Sequence, residues 1–150
     1  MKLAEALQQR ADLCRKLGEL KNRLRDSALT QEGEKPSEDP QELLQEYDKD
    51  VEELADLIAR INLTNCNTIR NGKTLTELIA QKDALSIKLQ GYREIADTAG
   101  QNTYRARNTE IRILTTVDVK ELRKKADDTA KQIRLLDNTL QETNWTTELK

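Results

Sequence analysis

The chain of 150 residues has no histidine, no phenylalanine, two cysteines, two prolines, five glycines and one tryptophan. Each shortage removes a class of protein. Without histidine there is no Ser-His-Asp or Cys-His relay and no imidazole base. Zinc sites that draw on histidine are excluded, and Cys14 and Cys66 alone do not make one. Di-iron bundle sites need Glu-x-x-His pairs, which cannot occur here. The two thiols are too few for a disulfide framework and are expected to stay reduced. The scattered glycines form neither a G-x-x-x-x-G-K-[ST] loop nor a G-x-G-x-x-G fingerprint. No stretch approaches the ~20 apolar residues of a membrane span. Leu3, Leu7 and Leu13 are interrupted by Glu5, Arg10 and Asp12, so no signal-peptide core is present. The net charge of −2 speaks against a nucleic-acid binder. The expectation is a cytoplasmic protein without cofactor or metal, and with no membrane or nucleic-acid partner.

What is present is helical. Charged residues make up 35% of the chain and hydrophobic residues 36%, a balance typical of long solvated helices. With so few aromatics, Leu, Ile, Val and Ala must fill the core, and these suit narrow helix–helix seams. The length fits a single domain over 1–150. A first helix is expected from Lys2 to Asp26, with a seam of Leu3, Ala6, Leu13, Leu17, Leu20 and Leu24 broken by Arg10. Residues 27–39 are polar, contain Gly33 and Pro36, and read as a mobile linker. Asp39 then caps a second helix that has Pro40 at its first position and Glu42 completing a capping-box-like pair. Its seam reads Leu44, Tyr47, Val51, Leu54, Ile58 and Ile61, with Asn65 at the next position.

The second helix is expected to dissolve at Asn62–Thr68, before a turn at Asn71-Gly72. Thr74 and Glu77 open a third helix whose seam runs Leu75, Leu78, Leu85, Leu89, Tyr92, Ala96 and Ala99, with Lys82 as the exception and Gly100 at the C-terminal cap. The segment Gln101–Val117 loses the helical period. Its β-branched part, 108–117, is either an extended connector or a short strand paired with Thr68–Arg70. A fourth helix starts at Asp118 and carries Val119, Leu122, Ala126, Ile133, Leu136 and Leu140, with Thr129 as a polar break. Residues 2–26 hold seven basic and four acidic side chains, and residues 27–60 three and eleven. A basic helix followed by an acidic one favours an antiparallel hairpin, with apolar seams deciding the fold. The predicted fold is all-α: long antiparallel hairpins forming a four-helix bundle, with a short β-hairpin-like pairing of connecting segments as an option.

Three features carry functional weight. The polar segment supplies Asn62, Asn65, Thr68 and Arg70, residue types that together could bind a small anionic ligand; the plainer reading is a helix end with side-chain caps. Arg105, Arg107 and Arg112 lie in the second non-helical region. Trp145, with Leu149 behind it, either anchors a subunit interface or packs its own tail. Arg10, Lys82 and Asn65 within seams set an oligomer register or sit at exposed edges. Cys14 reads as a small core residue, and Cys66 has only Arg70 nearby to activate it. The carboxylate pairs Glu52-Glu53 and Asp127-Asp128 each diverge on a helix and read as solvation.

The blocks Ile61-Asn62-Leu63-Thr64-Asn65, Gly72-Lys73-Thr74-Leu75-Thr76-Glu77, Thr116-Val117-Asp118-Val119 and Asn144-Trp145-Thr146-Thr147-Glu148-Leu149 resemble those of a bacterial family often labelled septicolysin-like. The resemblance spans most of the chain. It implies a helical protein that oligomerises, and its label implies a cytolytic toxin. The residues supply neither an aromatic belt nor a membrane-seeking surface for that activity. The functions that compete are a homo-oligomeric interaction module, a small-ligand-binding protein or His-free enzyme using the 62–70 segment, and a membrane-active toxin.

Overall fold

A computed structural model describes residues 1–101 and 111–150. Four helices follow in order: α1 (Leu3–Ser27), α2 (Pro40–Asn67), α3 (Leu75–Gly100) and α4 (Val119–Thr146). Two two-residue strands, β1 (Ile69–Arg70) and β2 (Lys73–Thr74), separate α2 from α3. The all-α expectation holds. The chain divides into two compact units, one of Met1–Thr74 with Glu142–Lys150 and one of Leu75–Gln141.

In the first unit α1 and α2 pack as an antiparallel hairpin. Its direction is set by Gln9 reaching Glu53, Lys16 reaching Glu46 and Asp50, and Arg23 reaching Glu38. The α1 seam is the predicted one: Leu3, Ala6, Leu13 and Leu20 are buried. Each fully buried leucine contributes about 1.5–3 kcal/mol. Asp39 caps α2 as expected, its Oδ1 accepting from the Gln41 amide at 2.9 Å, with Pro40 at the first position.

Half of the α2 seam departs from expectation by one residue: Ile61 is buried and Tyr47 and Leu54 are half-buried as expected, but Leu43, Asp50 and Leu57 take the places of Leu44, Val51 and Ile58. Leu43, Asp50, Leu57, Ile61 and Thr64 are buried, while Leu44, Val51 and Ile58 are exposed. Asp50 is tolerated in this row because Lys16 Nζ lies 2.7 Å from its carboxylate and 2.9 Å from Glu46. Nor does α2 end at Asn62; it runs on to Asn67. The polar side chains there bond to the preceding turn rather than breaking it. Thr64 Oγ1 donates to the Arg60 carbonyl at 2.8 Å and Asn67 Nδ2 to the Leu63 carbonyl at 2.7 Å.

The Asn71-Gly72 turn is present, with both residues at positive φ, 53° and 77°. That is the two-residue geometry of a tight hairpin, so Ile69–Arg70 pairs with Lys73–Thr74 and not with the described residues 111–117. Residues 108–110, Arg105 and Arg107 lie outside the described residues, and 113–117 form neither helix nor strand. Cys14 is exposed and is not a core residue.

In the second unit α3 and α4 are likewise antiparallel. Lys82, the break in the α3 seam, pairs with Asp137 of α4, and Gly100 at the end of α3 lies beside Arg123 near the start of α4. The α4 N-cap is Asp118, whose Oδ1 accepts from the Glu121 amide at 3.0 Å. Thr129 is buried and satisfies its hydroxyl on the Lys125 carbonyl at 2.7 Å.

Candidate functional site

Two of the sequence-predicted groups meet at one end of the first unit. The chain ends clasp each other there. Leu3 N donates to Thr147 O and Leu149 N to Met1 O, both at 2.9 Å, around a bridge between Lys2 and Glu148. Glu148 takes Lys2 Nζ at 2.5 Å and the Met1 ammonium at 3.2 Å. Those contacts, Lys2 first, hold its carboxyl below the ordinary 4.5. The tail is fastened to α2: Arg60 Nε donates to Lys150 O at 2.9 Å, and Lys150 N to Thr64 Oγ1 at 3.0 Å.

Asn62 is exposed here, and Asn65 and Thr68 are half-buried. Arg70 is exposed and directs its guanidinium to Glu142 at 3.0 Å. The two guanidinium groups at this end, Arg60 and Arg70, are therefore already engaged within the chain. Leu149 is half-buried in the clasp, and Trp145, on the last turn of α4, remains 52% exposed.

A second feature escaped the sequence reading. Over the middle of the hairpin, several inward-facing residues of α1 and α2 have a charged residue just before them and an apolar or small one just after; Leu20, followed by Lys21, and Ile61 and Thr64, followed by Asn62 and Asn65, do not. Glu5, Asp12 and Lys16 precede Ala6, Leu13 and Leu17, which are followed by Leu7, Cys14 and Gly18. Glu42, Lys49 and Asp56 precede Leu43, Asp50 and Leu57, which are followed by Leu44, Val51 and Ile58. One residue is a 100° turn of a helix. In an antiparallel pair, that turn brings both following rows to the same side. Over that stretch the hairpin has one charged side and one apolar side, and the apolar side ends at Lys21 on α1 and at Asn62 on α2. Leu44, Val51 and Ile58 are 42, 41 and 37% exposed on the latter. The signal in the sequence was the doubled apolar residues Leu43-Leu44 and Leu57-Ile58, which give α2 two rows where one was assigned.

A third feature belongs to the second unit. The last two turns of α3 and the irregular segment 113–117 line an open cavity of about 530 Å³. Ile95, Ile113 and Val117 make its walls largely apolar, and Glu94, hydrogen-bonded by Gln90 Nε2 at 2.8 Å, stands at its edge. No basic side chain lines it among the described residues. Nor do the described residues contain a cluster of carboxylate or thiol groups able to hold a metal. No helix among them is long and apolar enough to cross a membrane.

This geometry, with exposed apolar rows and no assembled set of reacting groups among the described residues, is that of a helical hairpin protein. The chain belongs to DUF6847, a family of unknown function, whose model matches residues 10–149. The septicolysin-like label drawn from sequence resemblance gains no support from that match. The chain is also similar to a functionally unknown conserved protein from Corynebacterium diphtheriae, known from a crystal structure. The two are 42% identical, the similarity covers 100% of this chain and 99% of that one, and the TM-score is 0.94. No curated protein matches the chain.

Proposed function

We propose that this protein is an interaction module that works as a homo-oligomer, associating through the apolar side of the α1–α2 hairpin. One observation carries the reading: Leu44, Val51 and Ile58 recur every seven residues on a folded helix and stay exposed. Single exposed leucines need no explanation, but an ordered apolar row marks a contact surface. Heptad spacing suits a helix partner.

The surface is modest. From Leu44 to Ile58 is about 21 Å of helix, and two helices at ordinary spacing span about 20 Å. The contact is then on the order of 500 Å² per copy, at the low end for specific association. Self-association is weak and concentration-dependent as a result. Trp145 adds an exposed indole, the side chain most enriched among binding hot spots.

Light scattering after size exclusion tests this. The weight-average mass should rise above 17.2 kDa as protein is concentrated. Val51→Glu should hold it at the monomer value with unchanged helicity. A wild-type mass fixed at the monomer value throughout would refute the proposal. The small-anion reading has less support, because Arg70 is opposed by Glu142.

A further inference from the structure

The reading above leaves open which helix meets which. We infer that α2 of one copy packs on α1 of a second copy, with the two-fold axis running parallel to the helices. This rests on the proposed self-association and names its geometry.

Charge makes the choice. Helix α1 carries six basic and four acidic side chains, a net of +2, and α2 two basic and seven acidic, a net of −5. Packing α2 on the partner's α2 would set acidic flank against acidic flank. Packing α2 on α1 sets opposite signs together, as they already are within each hairpin. Complementary flanks choose partner and orientation in helical seams.

Shape makes the same choice. The pairs Gln9–Glu53, Lys16–Glu46 and Arg23–Glu38 fix which residues are level across the hairpin. By that register Gly18 is level with Leu44 and Ala11 with Val51. A two-fold axis along the helices preserves those levels between copies. Leu44 then projects onto Gly18 of the other copy, where a Cβ would meet nothing within 4 Å, and Val51 onto Ala11. Large side chains meet small ones at both levels, which is how facing helices interdigitate. At the edge of the same seam Arg15, paired with Asp12 of its own chain, comes level with Asp48 of the other copy and carries the opposite charge.

Cross-linking between two differently labelled chains tests the pairing. Ala11→Cys and Val51→Cys are made in separate full-length chains, each with Cys14→Ala and Cys66→Ser. The chains are mixed and treated with a bismaleimide that spans about 8–10 Å, the distance between packed helix axes. The expected product is a covalent heterodimer, several-fold more abundant than any dimer formed by either variant alone. Dimers of the Ala11→Cys chain alone, at equal or higher yield, would show α1 on α1 and overturn this inference while self-association stands. No cross-link from any mixture, with a wild-type mass fixed at the monomer value, would overturn both. As a second readout, Arg15→Asp and Asp48→Arg should each weaken association about two- to five-fold and together restore it. Additive weakening in the double variant would overturn the pairing.

Discussion

Replacing Thr64 by Val tests how much the Thr64 hydroxyl adds to the Arg60 bond in fastening the C-terminal tail to α2. Thr64 is fully buried, and its Oγ1 accepts from Lys150 N at 3.0 Å while donating to the Arg60 carbonyl at 2.8 Å. Valine keeps the shape and removes both bonds. The Arg60 carbonyl still has its helical amide partner, so that loss costs little. The Lys150 amide loses its acceptor, but Lys150 is exposed and water replaces it. The expected cost is therefore about 0.5–1 kcal/mol, the low end for a lost hydrogen bond. Thr64→Ala removes a methyl group as well and leaves a small void, adding about 1 kcal/mol.

Urea unfolding gives the totals, and amide exchange gives the location. In Thr64→Val, exchange should accelerate at Lys150. Protection should persist at Leu3 and Leu149, whose bonds to Thr147 and Met1 do not involve Thr64. A Val variant with unchanged exchange at Lys150 but a loss above ~2 kcal/mol would refute the reasoning. Thr64 would then matter as packing, and the tail would be held elsewhere.

The chain-end ion pairs predict an acid response. The folded Glu148 carboxyl sits below its ordinary 4.5, so its stabilisation is present above about pH 4.5 and is lost as pH falls through the lower folded value. Glu148→Gln should therefore narrow the stability difference between pH 6 and pH 3, read by urea midpoints at each pH. Gly72→Ala places a Cβ at φ +77° and should cost about 1–2 kcal/mol, with the loss seen as faster exchange in Ile69–Thr74. Asp50→Leu should hold or raise the urea midpoint, because a well-packed apolar residue commonly replaces a buried charge without loss. Trp145, the single tryptophan, is 52% exposed, so its emission should shift to shorter wavelength as protein is concentrated if it joins the contact. An invariant spectrum in a sample whose mass rises would place it outside.

Much of the fold could be read because its signals are local. Asp39, Pro40 and Asp118 mark helix starts through backbone groups one to three residues away. Gly100 ends α3, and Asn71-Gly72 make the tight turn. What failed depends on distant partners. The end of α2 lies beyond its expected place because Asn and Thr disfavour helix interiors in general, whereas here Thr64 and Asn67 bond the preceding turn and Thr64 also accepts from the amide of Lys150, far along the chain. The convergence of the 62–70 and 145–149 segments was likewise invisible, since nothing in either block names the other. Of the two readings open for 108–117, the pairing with Thr68–Arg70 is not the one the described residues show, for a related reason. The nearer partner, Lys73–Thr74, closes a shorter loop at lower entropic cost.

The one-residue error in the α2 seam carries a different lesson. Pattern reading chose Leu44, Val51 and Ile58 because that row is wholly apolar. The folded hairpin buries the neighbouring row instead, and with it the carboxylate of Asp50. A hairpin selected only for its own stability would put Val51 inward and Asp50 outward, since burying a charge is costly unless it is paired. This one uses Lys16 to keep Asp50 in the seam and leaves the better row facing out. The arrangement makes energetic sense when both rows are buried in the working state, one within the hairpin and one between copies. On that account Asp50→Leu and Val51→Glu separate the two seams. The first should hold or raise the stability of the fold and leave association intact; the second should abolish association and leave the stability of the fold unchanged.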